Sequence, residues 1–140
     1  MKILLAVDGS ATTQRMLAYI AAHDELLGPR HSYTALTVVP AISSHAAAYL
    51  PQSSINGWYD SEADTVLEPV RKFAAQNHWE LETRQMVGHA GEAVAQLAQE
   101  GDFDLVVMGT HGHTALANVV LGSVATGVLA RLRRPVLLVP

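Results

Sequence analysis

Four residues in the last third of the chain have the types and spacing to hold a phosphate. Gly109, Gly112, Gly122 and Ser123 form the pattern G-x-x-G, nine residues, then G-S. Glycine at the first two positions permits close backbone approach and φ above zero. If Gly122-Ser123 opens a helix, the free N–H groups near Gly122, Ser123 and Val124 sit at its positive end, and the Ser123 hydroxyl adds a donor. Such a cradle needs no lysine. The plainer alternative is that the glycines only turn a long loop and Ser123 only caps a helix. A second polar turn, Asp8-Gly9-Ser10, follows the first apolar run.

Other chemistries fit the residues less well. His111 and His113 stand two apart and could be metal ligands, but no third ligand lies close in sequence and a glycine loop imposes little geometry. Ser10 and Ser123 lack the G-x-S-x-G context of a nucleophile, and both have capping roles open to them. No G-x-x-x-x-G-K-[ST] is present, and no G-x-G-x-x-G follows the first strand. Trp58 and Tyr59 are expected to pack, with a lid over the site as the alternative.

The elements that must position these turns can be read from hydrophobic period. Lys2–Val7 is expected as a strand buried on both faces. Ser10 is placed as the N-cap of a helix over 11–27, stopped by Gly28-Pro29. Tyr33–Val39, Trp79–Val87, Phe103–Met108 and Val136–Val139 complete a set of five strands. Residues 41–57 have no steady period and are expected as loop with at most a short helical piece. Helices are expected over 61–76, kinked or split at Pro69, over 92–100 with Ala93, Val94 and Leu97 inward, and from Gly122-Ser123 to the arginines. The alternation predicts an α/β fold, a single open, doubly wound five-stranded parallel sheet with helices on both faces. Ligands of such sheets bind beyond the carboxyl ends of the strands, so both polar turns share one crevice if the first and fourth strands are neighbours.

Composition narrows the class further. The chain has 140 residues, no cysteine, 49% hydrophobic and 16% charged residues, which fits one domain over 1–140 and excludes disulfide and thiolate chemistry. A net charge of −4 argues against a nucleic-acid partner. The apolar run after Lys2 ends at Asp8, too short for a signal peptide, and the uncharged stretch 114–130 is too short and polar to span a membrane. No membrane insertion is expected, and the cytoplasm is the expected compartment. All 13 acidic residues lie at or before Asp104, so no acidic side chain opposes an anion in the glycine loop. Arg131, Arg133 and Arg134 are expected to complement the C-terminus of the last helix.

Three blocks together resemble the universal stress protein family, in its ATP-binding branch. They are Val7-Asp8-Gly9-Ser10, Val38-Val39-Pro40, and Val107 to Gly112 through Leu121 to Ala125, closing on Arg134-Pro135-Val136. The resemblance implies a Rossmann-like fold of the adenine nucleotide alpha-hydrolase-like kind, with ATP as ligand. It implies that Val7 and Val38 flank adenine, that Asp8 accepts from ribose hydroxyls or helps hold a phosphate-bound Mg²⁺, and that Met108 and Gly109 line the ribose. Gly112, Gly122, Ser123 and Val124 would wrap the phosphates, with His111 against ribose or phosphate. The position after Gly112 is often basic in the family and is His113 here. The resemblance also implies a homodimer through Val136–Val139. A nucleotide-dependent regulator or sensor with an unknown regulatory protein partner is therefore expected, with at most slow ATP hydrolysis because no cationic side chain lies in the loop. A nucleotide-independent dimeric scaffold is the alternative.

Overall fold

A computed structural model describes residues 1–113 and 118–140. The elements are β1 (Lys2–Ala6), α1 (Ala11–Ala22), β2 (Ser32–Val39), α2 (Ser44–Ala47), α3 (Gln52–Gln76), β3 (Glu80–Val87), α4 (Ala90–Glu100), β4 (Leu105–Gly109), α5 (Ser123–Arg131) and β5 (Val136–Val139). The five strands form one sheet in the order β3-β2-β1-β4-β5, every neighbouring pair parallel.

Alternation along the strands supplies both helix layers. Ile3, Leu5 and Val7 point to the face covered by α1 and α3, where they pack with Met16, Ile20, Leu67 and Val70. Leu4 points to the other face with Val106 and Met108, against Val94 of α4 and Val128 of α5. Successive strand side chains alternate, so the unbroken apolar run in β1 is what a strand covered on both sides requires. The register places Ile3 opposite Tyr33 on β2 and Leu105 on β4, so β1 is the centre of the sheet. Burial raises the Tyr33 phenol to about 12, and its hydroxyl donates to the Gly28 carbonyl at 2.7 Å.

Several element ends differ from the sequence expectation. α1 stops at Ala22 rather than Leu27. A turn from His23 buries Leu27 and reaches Gly28 at φ +56, where any Cβ would lie 2.8 Å from Asp24 atoms. α3 starts at Gln52, inside the stretch expected as loop. Of residues 52–60 only Ile55 is fully buried, so that part of the helix carries no apolar stripe to betray it. Pro69 lies within α3 without dividing it. β4 begins at Leu105 rather than Phe103, because Asp102 is at φ +51 and the Phe103 N–H closes the end of α4 on the Ala98 carbonyl at 3.1 Å.

The C-terminal arginines divide their work. Arg131 donates to the Gly127 carbonyl at 3.0 Å in the last turns of α5 and pairs with Glu92 at 3.4 Å. Arg134 does not serve α5; it ties the α4–β4 turn, to the Phe103 carbonyl and to Asp102, each at 3.1 Å.

Candidate functional site

β1 and β4 are hydrogen-bonded neighbours, and the winding of the chain reverses between them. Their carboxyl ends therefore open onto a common crevice of about 800 Å³, counting the space at its mouth. Every residue that the sequence placed at the site lines it. Val7 and Asp8 enter from the end of β1 and Val38 from β2. Met108, Gly109, His111 and Gly112 come from β4 and its loop, and Gly122, Ser123 and Val124 from the start of α5. Leu36 and Val94 widen the apolar wall beside Val7, Val38 and Met108. Trp58 and Tyr59 are not among the lining residues. Trp58 is 44% exposed, and Tyr59 packs against the core under α3, its hydroxyl accepting from the Ile42 N–H at 2.9 Å.

The β1 turn meets several of its donors with its own side chains. Gly9 is at φ +77, which only glycine adopts without strain, and so brings Ser10 round to cap α1. Ser10 Oγ accepts from the Thr13 N–H at 3.4 Å, and Asp8 Oδ1 accepts from the Ser10 N–H at 2.9 Å. The Thr13 hydroxyl donates to the same Oδ1 at 2.9 Å.

The β4 loop is organised differently. A Cβ on Gly109 would run into Thr12 Cγ2 of α1, and one on Gly112 would stand 2.6 Å from Asp8 Oδ2. One on Gly122 would lie 3.1 Å from the Thr110 carbonyl oxygen. Close approach is thus the reason for all three glycines. Positive φ is not: neither Gly109 nor Gly112 has it. The Gly122 N–H donates to the Thr110 carbonyl at 2.7 Å and closes the loop on itself.

α5 begins without a side-chain cap. Its N-cap is Gly122, not Ser123, and the first helical hydrogen bond is Thr126 N–H to the Gly122 carbonyl at 3.0 Å. The N–H groups of Ser123, Val124 and Ala125 precede that bond, and all three residues line the crevice. The start of a helix carries free N–H groups and the positive end of the helix dipole, an arrangement whose electrostatics suit an anion.

The two histidines fasten the loop. His111 Nε2 donates to the Val119 carbonyl at 2.6 Å, so its Nδ1 accepts from the Thr110 hydroxyl at 3.0 Å. His113 Nε2 donates to the Asp8 carbonyl at 2.6 Å and ties the β4 loop to the β1 turn. Their rings address different carbonyls, which argues against a shared metal. Among the described residues no group of three His, Cys, Asp or Glu is placed to hold a metal ion. Thr13 and His113 line the crevice and were missed as site residues. The spacing Asp8, Ser10, Thr13 carried a signal for the first; His113 holds the position after Gly112 that is often basic in the family, but its contact with Asp8 lies far away in sequence and left no local trace.

An open, doubly wound parallel α/β sheet with its crevice between β1 and β4 is a Rossmann-like fold. Residues 1–140 match the sequence profile described as the universal stress protein family, and the chain belongs to that family. A universal stress protein of Synechocystis is 31% identical over 97% of this chain, which spans 41% of that longer protein. One from Methanocaldococcus jannaschii is 24% identical over 99% of this chain and 93% of its own length. The solved structure of that archaeal protein has a TM-score of 0.84 at 25% identity, covering 99% of this chain and 94% of its own. Three structural neighbours under 25% identical, which share the fold, were solved with an adenine nucleotide. One is the Archaeoglobus fulgidus protein in complex with dAMP (TM-score 0.70, 21% identity, covering 100% of this chain and 98% of that one). Others are a universal stress protein in complex with cAMP and an Arabidopsis thaliana protein with AMP bound. Among the described residues, no helix is long and apolar enough to cross a membrane.

Proposed function

We propose that this chain binds an adenine nucleotide, ATP, between β1 and β4 and acts in the cytoplasm as a nucleotide-dependent regulator or sensor. The observation that carries the reading is the uncapped start of α5 inside the crevice, at Ser123 and Val124. The adenine would rest against Val7 and Val38, the ribose near Asp8, Met108 and Gly109, and the phosphates among Gly112, Gly122, Ser123 and Val124, with His111 beside them. The neighbours solved with dAMP, cAMP and AMP support this ligand class. Mg²⁺ binds phosphates together with one or two carboxylates, and among the described residues Asp8 is the one carboxylate lining the crevice. The metal would therefore ride on the nucleotide. Among the described residues no lysine or arginine lines the crevice, so hydrolysis is expected to be slow at most.

Ser123→Asp tests the reading. An aspartate in the first turn of a helix is favourable to the helix dipole, so the fold is expected to keep its melting temperature. The same charge repels phosphate, and calorimetry should show ATP binding lost. Retained ATP affinity in the folded variant rules the site out. Absence of heat with ATP and AMP at millimolar concentration in the unaltered protein favours the nucleotide-independent scaffold.

Dimerisation through β5 belongs to the same reading. The two edges of the sheet differ: β3 carries Glu80, Glu82 and Arg84, whereas β5 is Val-Leu-Leu-Val with no charge. Charged edges resist pairing and apolar ones invite it. Sedimentation at micromolar concentration should give the mass of two chains; a monomer there overturns this part alone.

A further inference from the structure

His111 lines the crevice, yet both nitrogens of its ring are already engaged by the chain. Nε2 faces the Val119 carbonyl at 2.6 Å, and a carbonyl only accepts, so Nε2 carries the proton. In the neutral ring Nδ1 is then bare, and the Thr110 hydroxyl donates to it at 3.0 Å. A ring bonded in this way is uncharged and keeps neither a proton nor a lone pair for a phosphate.

The bond to Val119 acts on the head of α5. Thr110 is the fixed point: its N–H donates to the Val139 carbonyl of β5 at 3.0 Å, and its carbonyl accepts from the Gly122 N–H at 2.7 Å. His111 adds a second tie, upstream of Gly122. Leu121 packs against the core between the sheet and the helices α4 and α5. Val119 and Val120 are 40% and 86% exposed, so burial does not hold that part of the chain in place. The imidazole therefore sets the path by which the chain enters α5, and with it the direction of the Ser123 and Val124 N–H groups. Donors aimed before the ligand arrives cost less to order on binding.

We propose, resting on the nucleotide reading above, that His111 is a positioning residue: as a neutral ring that does not touch the ligand, it strengthens phosphate binding by fixing the run into α5 through Val119. Two consequences set this apart from a direct contact. The effect belongs to the phosphates and not to the base, whose apolar wall at Val7 and Val38 is built from β1 and β2. The ring also keeps its protonation state when nucleotide binds, whereas a histidine that reached phosphate would exchange its tautomer or take up a second proton.

Calorimetry with ATP and with adenosine, which lacks the phosphates, tests the first consequence. His111→Phe keeps a ring and removes both nitrogens; it should weaken ATP about tenfold, the order of one hydrogen bond, and leave adenosine within about twofold. His111→Gln supplies one donor and one acceptor again and should recover most of the loss. Nitrogen NMR tests the second. In the free protein the His111 ring should show Nε2 protonated and Nδ1 bare, and ATP should leave that state unchanged. A ring that gains a proton or exchanges its tautomer on ATP binding overturns the proposal. Undiminished ATP affinity in folded His111→Phe overturns it too, as does a Gln variant no better than the Phe one. Equal losses for ATP and adenosine also overturn it, since they mark damage to the whole crevice. If ATP does not bind the unaltered protein, the nucleotide reading fails and this proposal falls with it; if ATP binds and one of the other results appears, this proposal fails alone.

Discussion

The two turns that face each other across the crevice solve the same geometric problem by opposite means. Both lead from a central strand into a helix. The β1 turn uses polar side chains: Ser10 caps α1, and Asp8 gathers the Ser10 N–H and the Thr13 hydroxyl. The β4 loop uses the absence of side chains: Gly109, Gly112 and Gly122 let backbone press against Thr12, Asp8 and Thr110, and α5 starts uncapped. The first turn spends the Ser10 and Thr13 N–H groups on its own side chains and sets the Asp8 carboxylate there, whose charge repels an anion. The second has spare donors because no side chain is there to take them.

Substitutions that reverse these roles should break the comparison, beginning where packing is tightest. Gly109→Val should destabilise the fold by about 3 kcal/mol in urea denaturation, since its side chain would overlap buried Thr12. Gly112→Ala comes next, at about 2 kcal/mol, because its methyl displaces the Asp8 carboxylate from its two hydrogen bonds. A variant of Gly112 as stable as the unaltered protein would mean that Asp8 moves aside freely. Ser10→Ala should cost about 1 kcal/mol through the lost cap of α1. The same change at Ser123 should alter stability by less than about 0.5 kcal/mol, because no cap is removed. Equal losses for the two serines, read from thermal melts side by side, would erase the distinction between the turns.

Much of this was legible from residue pattern. The five strands show as short apolar runs because a parallel sheet is covered on both faces, and ten crevice residues follow from strand ends plus the glycine spacing and the family resemblance. The parts that escaped have a physical cause. The first two turns of α3 are mostly exposed, so Gln52 to Asp60 show no apolar period. α1 ends early because the buried Leu27 belongs to a turn, and a turn residue that packs inward imitates a helix stripe. His113 on the Asp8 carbonyl and Arg134 on Asp102 are contacts between segments remote in sequence, which no local spacing records.

The glycine loop also bears on how such a motif is inherited. Gly109 and Gly112 are needed by Thr12 and Asp8 of the same chain, whether or not a phosphate ever arrives. A descendant that had lost its ligand would still be held to those two glycines by its own folding. Ser123 carries no such obligation, since it caps nothing at the head of α5. In a lineage drifting away from its ligand, the serine is the first letter of the motif free to change.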